Sequence, residues 1–146
     1  TNIGAIPLPT NFTYHKCIGI DHNSNAINVA NEVKNYLKIS NLDLVCGDFL
    51  TYNFNIKFDV VLSLANHSTF DRGIDDTNKY FQKIVEILNA EGILILESHS
   101  PLYENPNSYL KIIELLKKDF IIYAEGKYDF GNFYDRNRVF HILKKK

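Results

Sequence analysis

The sequence contains neither methionine nor tryptophan, and its 146 residues include only two cysteines, Cys17 and Cys46. Two cysteines are too few for the disulfide framework of a small secreted domain, so we expect two free thiols in a reducing cytoplasm. No apolar run approaches the ~20 residues that span a bilayer, and no charged-then-apolar leader opens the chain. We therefore expect no membrane association. The missing methionine is compatible with a processed start at Thr1 or with a start inside a longer chain.

The chain also lacks an excess of charge of either sign. Lysine and arginine total 16, aspartate and glutamate total 17, and the formal net charge is −1. Without a global positive field we do not expect binding to nucleic acid, whose affinity depends on neutralising phosphates. The lysines at 117–118 and 144–146 are expected to be solvated surface charge. With 45% apolar and 23% charged residues, the composition is that of one globular domain spanning residues 1–146.

Apolar runs alternate with helical patterns along the chain. Continuous apolar runs predict strands at residues 16–21, 42–47, 58–65, 92–98, 120–124 and 138–143. Stripes of apolar residues spaced by three and four predict helices. These stripes are Ala26, Ala30, Val33 and Leu37; Phe81, Ile84, Val85 and Leu88; and Tyr109, Ile112, Ile113 and Leu116, in a helix that opens at Pro106. Asn23 or Ser24 and then Asp76 are the expected N-caps of the first two helices, and Gly92 is the expected left-handed residue after the second.

This order predicts an α/β fold whose sheet is mostly parallel, with an antiparallel C-terminal edge strand. Polar residues follow the predicted strands, and in open parallel sheets ligands bind beyond the carboxyl ends of the strands. The polar residues at these ends are Asp21, Asp48, Asn66, His67, Glu97, Ser98 and His99. Taken alone, Asp21 could instead cap the next helix, Asp48 could be a turn residue, and Glu97 could have a structural role.

Four segments carry a resemblance to a known family. They are Ile18–Asp21, Cys46–Phe49, Phe58–Ala65 and Leu88–Leu96. Together they resemble the class I S-adenosylmethionine-dependent methyltransferases over nearly the whole chain. The resemblance implies a Rossmann-like three-layer sandwich and S-adenosyl-L-methionine as the cofactor. It further implies that Asp21 binds the ribose hydroxyls and that Asp48 and Phe49 contact the adenine.

The glycine-rich first motif of that family is represented here only by Asn2-Ile3-Gly4. Gly4 precedes Asp21 by 17 residues, which leaves room for a helix, a turn and a strand. The resemblance therefore implies that the first strand and its first glycines lie upstream of Thr1. The cofactor-binding residues that it implies are Asn2, Gly4, Asp21, His22, Asp48, Phe49, Leu64 and Asn66.

Two histidines are candidate catalytic bases. His67 and His99 follow strands that would be neighbours in this topology, and a base that titrates near neutral pH can take a proton from a methyl acceptor. The alternative is that each is a histidine at the rim of the pocket. His67, Asp71 and His99 match no zinc-binding spacing, so no metal is expected. Asn66 is followed by His67 and Ser68, so it does not begin the "[DN]-P-P-[YF]" turn of enzymes that methylate bases.

The function that these residues favour is transfer of a methyl group to an acceptor that the sequence does not identify, with a small molecule favoured. One alternative is a non-catalytic, methyltransferase-like module that binds a partner, since the glycine loop is incomplete. Another is a nicotinamide dinucleotide enzyme, which would place a similar carboxylate on the ribose. That enzyme needs a G-x-G-x-x-G pattern about 20 residues before Asp21.

Overall fold

The computed structural model describes residues 16–64, 74–98, 106–128 and 138–146 of the chain. The chain forms two compact units, residues 1–53 (the N-terminal unit) and residues 54–146 (the C-terminal unit). In the described parts of the chain each unit has its own sheet, with two strands in the first and four in the second. Every helix in these described ranges is too short or too polar to span a bilayer.

The N-terminal unit is a β-α-β arrangement. Strand β1 (Cys17–Asp21) is followed by helix α1 (Ser24–Tyr36) and strand β2 (Leu42–Cys46). The two strands are parallel, in a register that pairs Cys17 with Leu42 and Asp21 with Cys46. Their carboxyl ends therefore lie at the same edge of the sheet, as the sequence predicted.

Helix α1 begins and ends with local capping interactions. Asn23 is the N-cap, and its side chain accepts hydrogen bonds from the amides of Asn25 and Ala26. At the other end, Lys38 donates to the Asn35 carbonyl (3.1 Å) and Ile39 donates to the Lys34 carbonyl (3.0 Å). This is the Schellman arrangement, in which the residue after the C-cap takes a left-handed conformation. Lys38 fills that position with φ at 55°.

The apolar stripe predicted for α1 is only partly buried. Its first two residues, Ala26 and Ala30, are half-buried, whereas Val33 and Leu37 are 44% and 51% exposed. The residue that α1 buries is Ile27, at 5% exposure, which lies outside the predicted stripe. A short helix that packs on a two-stranded sheet buries only a narrow face, so residues on the neighbouring face of the helix remain exposed.

The C-terminal unit contains a mixed sheet. Its elements are β3 (Phe58–Leu64), α2 (Ile74–Ile87), β4 (Leu88–Ser98), α3 (Pro106–Asp119), β5 (Phe120–Tyr128) and β6 (Arg138–Lys145). The strand order is β3-β4-β6-β5. β3 and β4 are parallel, and β6 is antiparallel to both of its neighbours. The antiparallel C-terminal strand thus lies inside the sheet, and β5 forms the edge.

The core of the C-terminal unit is formed by α2, α3 and one face of this sheet. Its fully buried apolar side chains are Ile84 from α2, Leu88 and Leu94 from β4, Leu116 from α3, Phe120 from β5 and Leu143 from β6. A buried hydrogen bond of 2.7 Å between the hydroxyls of Ser63 and Tyr80 satisfies both polar groups. The apolar faces of the two helices and of the sheet therefore pack together in a single layer.

The lysines at the C-terminus are not simply solvated, which corrects the expectation from the sequence. Lys145 Nζ donates to the carbonyls of Val85 (2.6 Å) and Leu88 (3.0 Å). Lys146 Nζ donates to the carbonyls of Lys117 (2.7 Å) and Lys118 (3.1 Å). Both ammonium groups thus bind carbonyl groups at or just beyond a helix C-terminus, where the helix dipole favours a cation.

Two local predictions for α2 are also corrected. The helix begins at Ile74, so Asp76 lies inside its first turn rather than at the cap. It ends at Ile87, and β4 follows directly from Leu88. The left-handed residue in this segment is Glu91, with φ at 61°, not Gly92. Glu91 therefore adopts a backbone conformation that glycine favours.

Candidate functional site

The carboxylate of Asp21 is the most unusual polar group of the N-terminal unit. Asp21 ends β1 and is only 2% exposed. Its Oδ1 accepts a hydrogen bond of 2.7 Å from the Asn23 amide. Its Oδ2 is buried and has no hydrogen-bond partner among the described residues. A buried acceptor without a donor costs about 1–3 kcal/mol, so this oxygen is suited to a donor supplied by a ligand.

The local sequence explains why this oxygen is not used by the helix. Asn23, not Asp21, is the N-cap: its Oδ1 lies 3.0 Å from the Asn25 amide and 3.3 Å from the Ala26 amide. Asp21 therefore does not have the capping role that was its structural alternative. His22 lies between them, largely exposed, with Nδ1 3.6 Å from Asp21 Oδ1. The carboxylate of Asp21 is thus held in place by a tight turn, beside the imidazole of His22.

Asp48 lies at the same edge of this sheet, just beyond β2. The amide of Gly47 donates to the Asp21 carbonyl (2.9 Å), which joins the ends of the two strands. Asp48 Oδ1 accepts a 2.7 Å hydrogen bond from the Leu50 amide, and its carbonyl accepts one of 2.9 Å from the Tyr52 amide. One oxygen of the exposed Asp48 carboxylate therefore shapes a turn, as the structural alternative predicted.

The structure places four of the predicted site residues at or just beyond the carboxyl ends of β1 and β2. They are Asp21, His22, Asp48 and the half-buried Phe49. Leu64 is half-buried at the end of β3 in the C-terminal unit, where it pairs with Glu97 of β4. The remaining predicted site residues lie outside the described residues: Asn2, Gly4, Asn66, His67 and His99.

A buried ion pair at the carboxyl end of β4 was not predicted from the sequence. Arg138, the first residue of β6, donates through Nε to Glu97 Oε1, and its Nη2 lies 3.4 Å from Glu97 Oε2. Both side chains are almost fully buried. The sequence suggested only that Glu97 orients its surroundings. Its partner is 41 residues away, and no local pattern indicates such a pairing.

His141 is a second buried polar group that sequence reasoning missed. Burial lowers the pKa of its imidazole, and the charge of Glu125, whose Oε2 lies 3.7 Å from Nε2, partly opposes that shift. His141 pairs with Leu96 and Glu125 in the sheet, among strand interiors rather than strand ends. It follows that this histidine belongs to the packing of the C-terminal unit. Within the described parts of the chain, no group of three acidic, histidine or cysteine side chains could hold a metal ion.

Comparison with known proteins gives one family match and several structural ones. Residues 10–144 match the family described as "Methyltransferase domain". The fold is similar to that of the N-methyltransferase NodS from Bradyrhizobium japonicum WM9, with a TM-score of 0.74 and 15% identity over 89% of this chain and 73% of that one. The complex of NodS with S-adenosyl-L-homocysteine gives a TM-score of 0.75 and 14% identity, over 89% of this chain and 66% of that one.

An rRNA methylase from Streptococcus thermophilus is also similar, with a TM-score of 0.61 and 16% identity over 89% of this chain and 73% of that one. This chain therefore spans 66% to 73% of the length of these three structures. No curated protein matches the sequence. At these identities the likeness concerns the fold, and it confirms the Rossmann-like α/β architecture expected from the sequence.

Proposed function

The chain belongs to the methyltransferase-domain family, and from that membership we propose that residues 1–146 form a single domain that transfers the methyl group of S-adenosyl-L-methionine to a small-molecule acceptor. The cofactor supplies an electrophilic methyl group when bound. The chain's own residues would then hold the nucleoside, orient the acceptor and remove its proton. Alignment of the two reactants is itself a large source of rate enhancement in such transfers.

The observation that carries this proposal is the buried Oδ2 of Asp21. A ribose presents two neighbouring hydroxyl donors, and a carboxylate accepts such donors with short, charge-assisted hydrogen bonds. Oδ1 is engaged by the Asn23 amide, so a hydroxyl donor would satisfy the oxygen that no described residue satisfies. The residues present therefore fit a nucleoside with an intact ribose diol.

Of the other proposed roles, those of His22, Asp48 and Phe49 follow from the edge at which they lie, and the rest follow from the sequence alone. His22, Asp48 and Phe49 stand beside Asp21 beyond the ends of β1 and β2, and we assign them to the adenosine. Asn2, Gly4, Leu64 and Asn66 complete the proposed cofactor set. His67 or His99 is the proposed base that takes a proton from the acceptor, because imidazole titrates near neutral pH.

A small acceptor is favoured over a nucleic acid by the distribution of charge. The formal net charge is −1. Two of the three lysines at the C-terminus bind helix carbonyls, so their ammonium groups are already coordinated. NodS is an N-methyltransferase and the Streptococcus thermophilus protein an rRNA methylase, so the shared fold accommodates different acceptors. The free cysteines suit the cytoplasmic location that we propose.

Calorimetric titration with S-adenosyl-L-homocysteine tests the proposal. We expect Asp21→Asn to weaken binding by roughly ten- to a hundredfold, because a hydrogen bond to a charged group contributes about 1.5–3 kcal/mol. Asp43→Asn is the matched control: Asp43 lies on β2, is exposed and pairs with Lys16 at 3.2 Å. Circular dichroism would show that both variants fold.

Two outcomes would contradict the proposal. If Asp21→Asn and Asp43→Asn bind as tightly as the unaltered chain, the ribose does not contact Asp21. If the unaltered chain does not bind S-adenosyl-L-homocysteine at all, the alternative of a non-catalytic, partner-binding module is favoured, since such a module needs no cofactor.

A further inference from the structure

The thiol of Cys46 lies at the same edge as the buried Asp21 carboxylate. Cys46 is the last residue of β2 and the Cα partner of Asp21 in the parallel pair. Its Sγ lies 3.8 Å from the carbonyl oxygen of His22. The next residue, Gly47, donates its amide to the Asp21 carbonyl at 2.9 Å. Cys46 is therefore built into the strand junction beside which the nucleoside is proposed to bind.

Cys46 is also accessible, unlike most cysteines that pack in an interior. It is an exposed free thiol, whereas Cys17 is a half-buried one. Free cysteine is ordinarily among the most buried residue types. The exposed thiol and the unsatisfied oxygen of Asp21 are independent observations on two strands, and the second one points to a ligand at this edge.

We propose that Cys46 is a modification site that controls access to the nucleoside site, and that its reaction partner is a low-molecular-weight disulfide. This inference rests on the function proposed above. In the reaction the Cys46 thiolate attacks one sulfur of the disulfide. A new S–S bond forms to Cys46, the original S–S bond breaks, and the departing thiolate takes up the proton that Cys46 lost. A reducing thiol reverses the exchange.

The attached group would oppose nucleoside binding by bulk and by charge. With glutathione, the modification adds a tripeptide that carries two carboxylates and one ammonium group. It would be anchored on the residue that pairs with Asp21. The added net negative charge lies beside a buried carboxylate and beside the exposed Asp48. The converse effect is also expected: a bound nucleoside would shield the Cys46 thiol from reagents in solution.

Cys17 provides an internal control. It lies at the opposite end of β1, paired with Leu42. It lies four positions before Asp21 along the strand, which is about 13 Å at roughly 3.3 Å per residue. A ligand at the carboxyl ends of the strands should leave Cys17 unchanged. The two thiols therefore distinguish local shielding from a general change in the protein.

The experiment measures the alkylation rate of each cysteine by iodoacetamide in the unaltered chain, with peptide mass spectrometry assigning each product. Calorimetry first establishes the concentration of S-adenosyl-L-homocysteine that saturates the protein. We expect saturation to slow alkylation of Cys46 at least tenfold and that of Cys17 less than twofold. Treatment with glutathione disulfide should weaken binding of S-adenosyl-L-homocysteine at least tenfold, dithiothreitol should restore it, and Cys46→Ser should bind equally well before and after treatment.

The outcomes separate this inference from the proposed function. If S-adenosyl-L-homocysteine binds the untreated protein but does not protect Cys46, or if the protein that carries glutathione on Cys46 binds it normally, the inference about Cys46 is wrong and the proposed function stands. If the untreated protein does not bind S-adenosyl-L-homocysteine, the proposed function fails, and the inference fails with it.

Discussion

The two units of this chain differ in where their buried groups lie and in what those groups do. In the C-terminal unit the buried residues are mostly apolar, and Ile84, Leu94, Leu116 and Leu143 are completely inaccessible to solvent. Among the described residues of the N-terminal unit, one apolar side chain, Ile27, and one carboxylate, Asp21, are buried. The unit with the thinner core thus holds the carboxylate on which the proposed function rests.

This difference shows that the larger apolar core and the unsatisfied carboxylate lie in separate parts of the sequence. Burial of apolar surface stabilises a fold, whereas a buried carboxylate oxygen without a donor destabilises it. The C-terminal unit has many buried apolar residues, and its buried polar groups are paired, as Ser63 is with Tyr80 and Glu97 with Arg138. The N-terminal unit retains a buried carboxylate oxygen that no described residue satisfies.

The largest effect should come from the apolar core of the C-terminal unit. Leu94→Ala removes buried methyl groups and leaves a cavity, so we expect the free energy of unfolding to fall by about 3 kcal/mol. The control is Val33→Ala on the exposed face of α1, for which the change should stay within about 0.5 kcal/mol. Urea denaturation measures both variants. Equal losses would show that the two units do not differ in their packing as described.

A smaller loss is expected where a lysine binds carbonyls at the end of α2. Lys145→Met keeps the alkyl chain but removes the two hydrogen bonds to Val85 and Leu88. We expect a loss of about 1.5 kcal/mol, because hydrogen bonds to a charged group are stronger than neutral ones. Lys144→Met is the control, since Lys144 forms an exposed ion pair with Glu91 at 3.1 Å. Such pairs contribute about 0–1 kcal/mol, so a control loss as large as that of Lys145→Met would argue against the capping role.

Acid should weaken the C-terminal unit through His141. Burial lowers the pKa of His141 in the folded protein below its ordinary value of 6.5. The unfolded chain then binds the proton first as pH falls, so the stabilisation by neutral His141 is complete above pH 6.5. It is lost as pH falls toward and through the folded pKa, with a slope of at most about 1.4 kcal/mol per pH unit.

Urea denaturation between pH 8 and pH 5 would measure this dependence in the unaltered chain and in His141→Gln. The variant should lose the part of the slope that His141 contributes, whatever its absolute stability. An identical slope in both proteins would show that His141 binds its proton equally well in the folded and unfolded states.

The smallest effects should come from Lys38 in the N-terminal unit and Glu91 in the C-terminal unit, which both have a left-handed backbone conformation. Lys38 and Glu91 have φ values of 55° and 61°. Glycine adopts this conformation without steric cost, although it loses more entropy on folding. We expect Lys38→Gly and Glu91→Gly each to raise the free energy of unfolding by about 0.5 kcal/mol. Lys38→Ala and Glu91→Ala keep the strained conformation, so neither alanine variant should gain stability.

Much of the local structure could be predicted from the sequence. The run at 16–21 became β1 (Cys17–Asp21), Asn23 became the N-cap of α1, and α3 begins at Pro106 as expected. These features depend on residues within a few positions of one another, which is the range over which hydrophobic period and capping chemistry act. The exceptions, Asp76 and Gly92, lie at helix ends, where one or two residues separate alternative arrangements.

The candidate site was predictable only in outline. The position of Asp21 at a strand end followed from the sequence, as did its proximity to Asp48. The sequence did not show which oxygen of Asp21 has a hydrogen-bond partner. The side chains of Asp21 and Asn23 accept hydrogen bonds from different amides of the same turn, and the backbone geometry decides which amide each one meets. The Glu97–Arg138 ion pair and the proximity of Cys46 to His22 were likewise inaccessible, since each joins residues distant in the chain.

The sequence by itself determined the order of strands and helices, the family to which the chain belongs and the residue types at the ends of the strands. These are properties of local periodicity and of short motifs. The tertiary structure decided that β6 lies between β4 and β5, that Lys145 and Lys146 bind carbonyls at helix ends, and that one buried oxygen of Asp21 has no partner among the described residues. These features depend on contacts between segments tens of residues apart, or on the exact geometry of a turn, and neither is specified by any local pattern of residues.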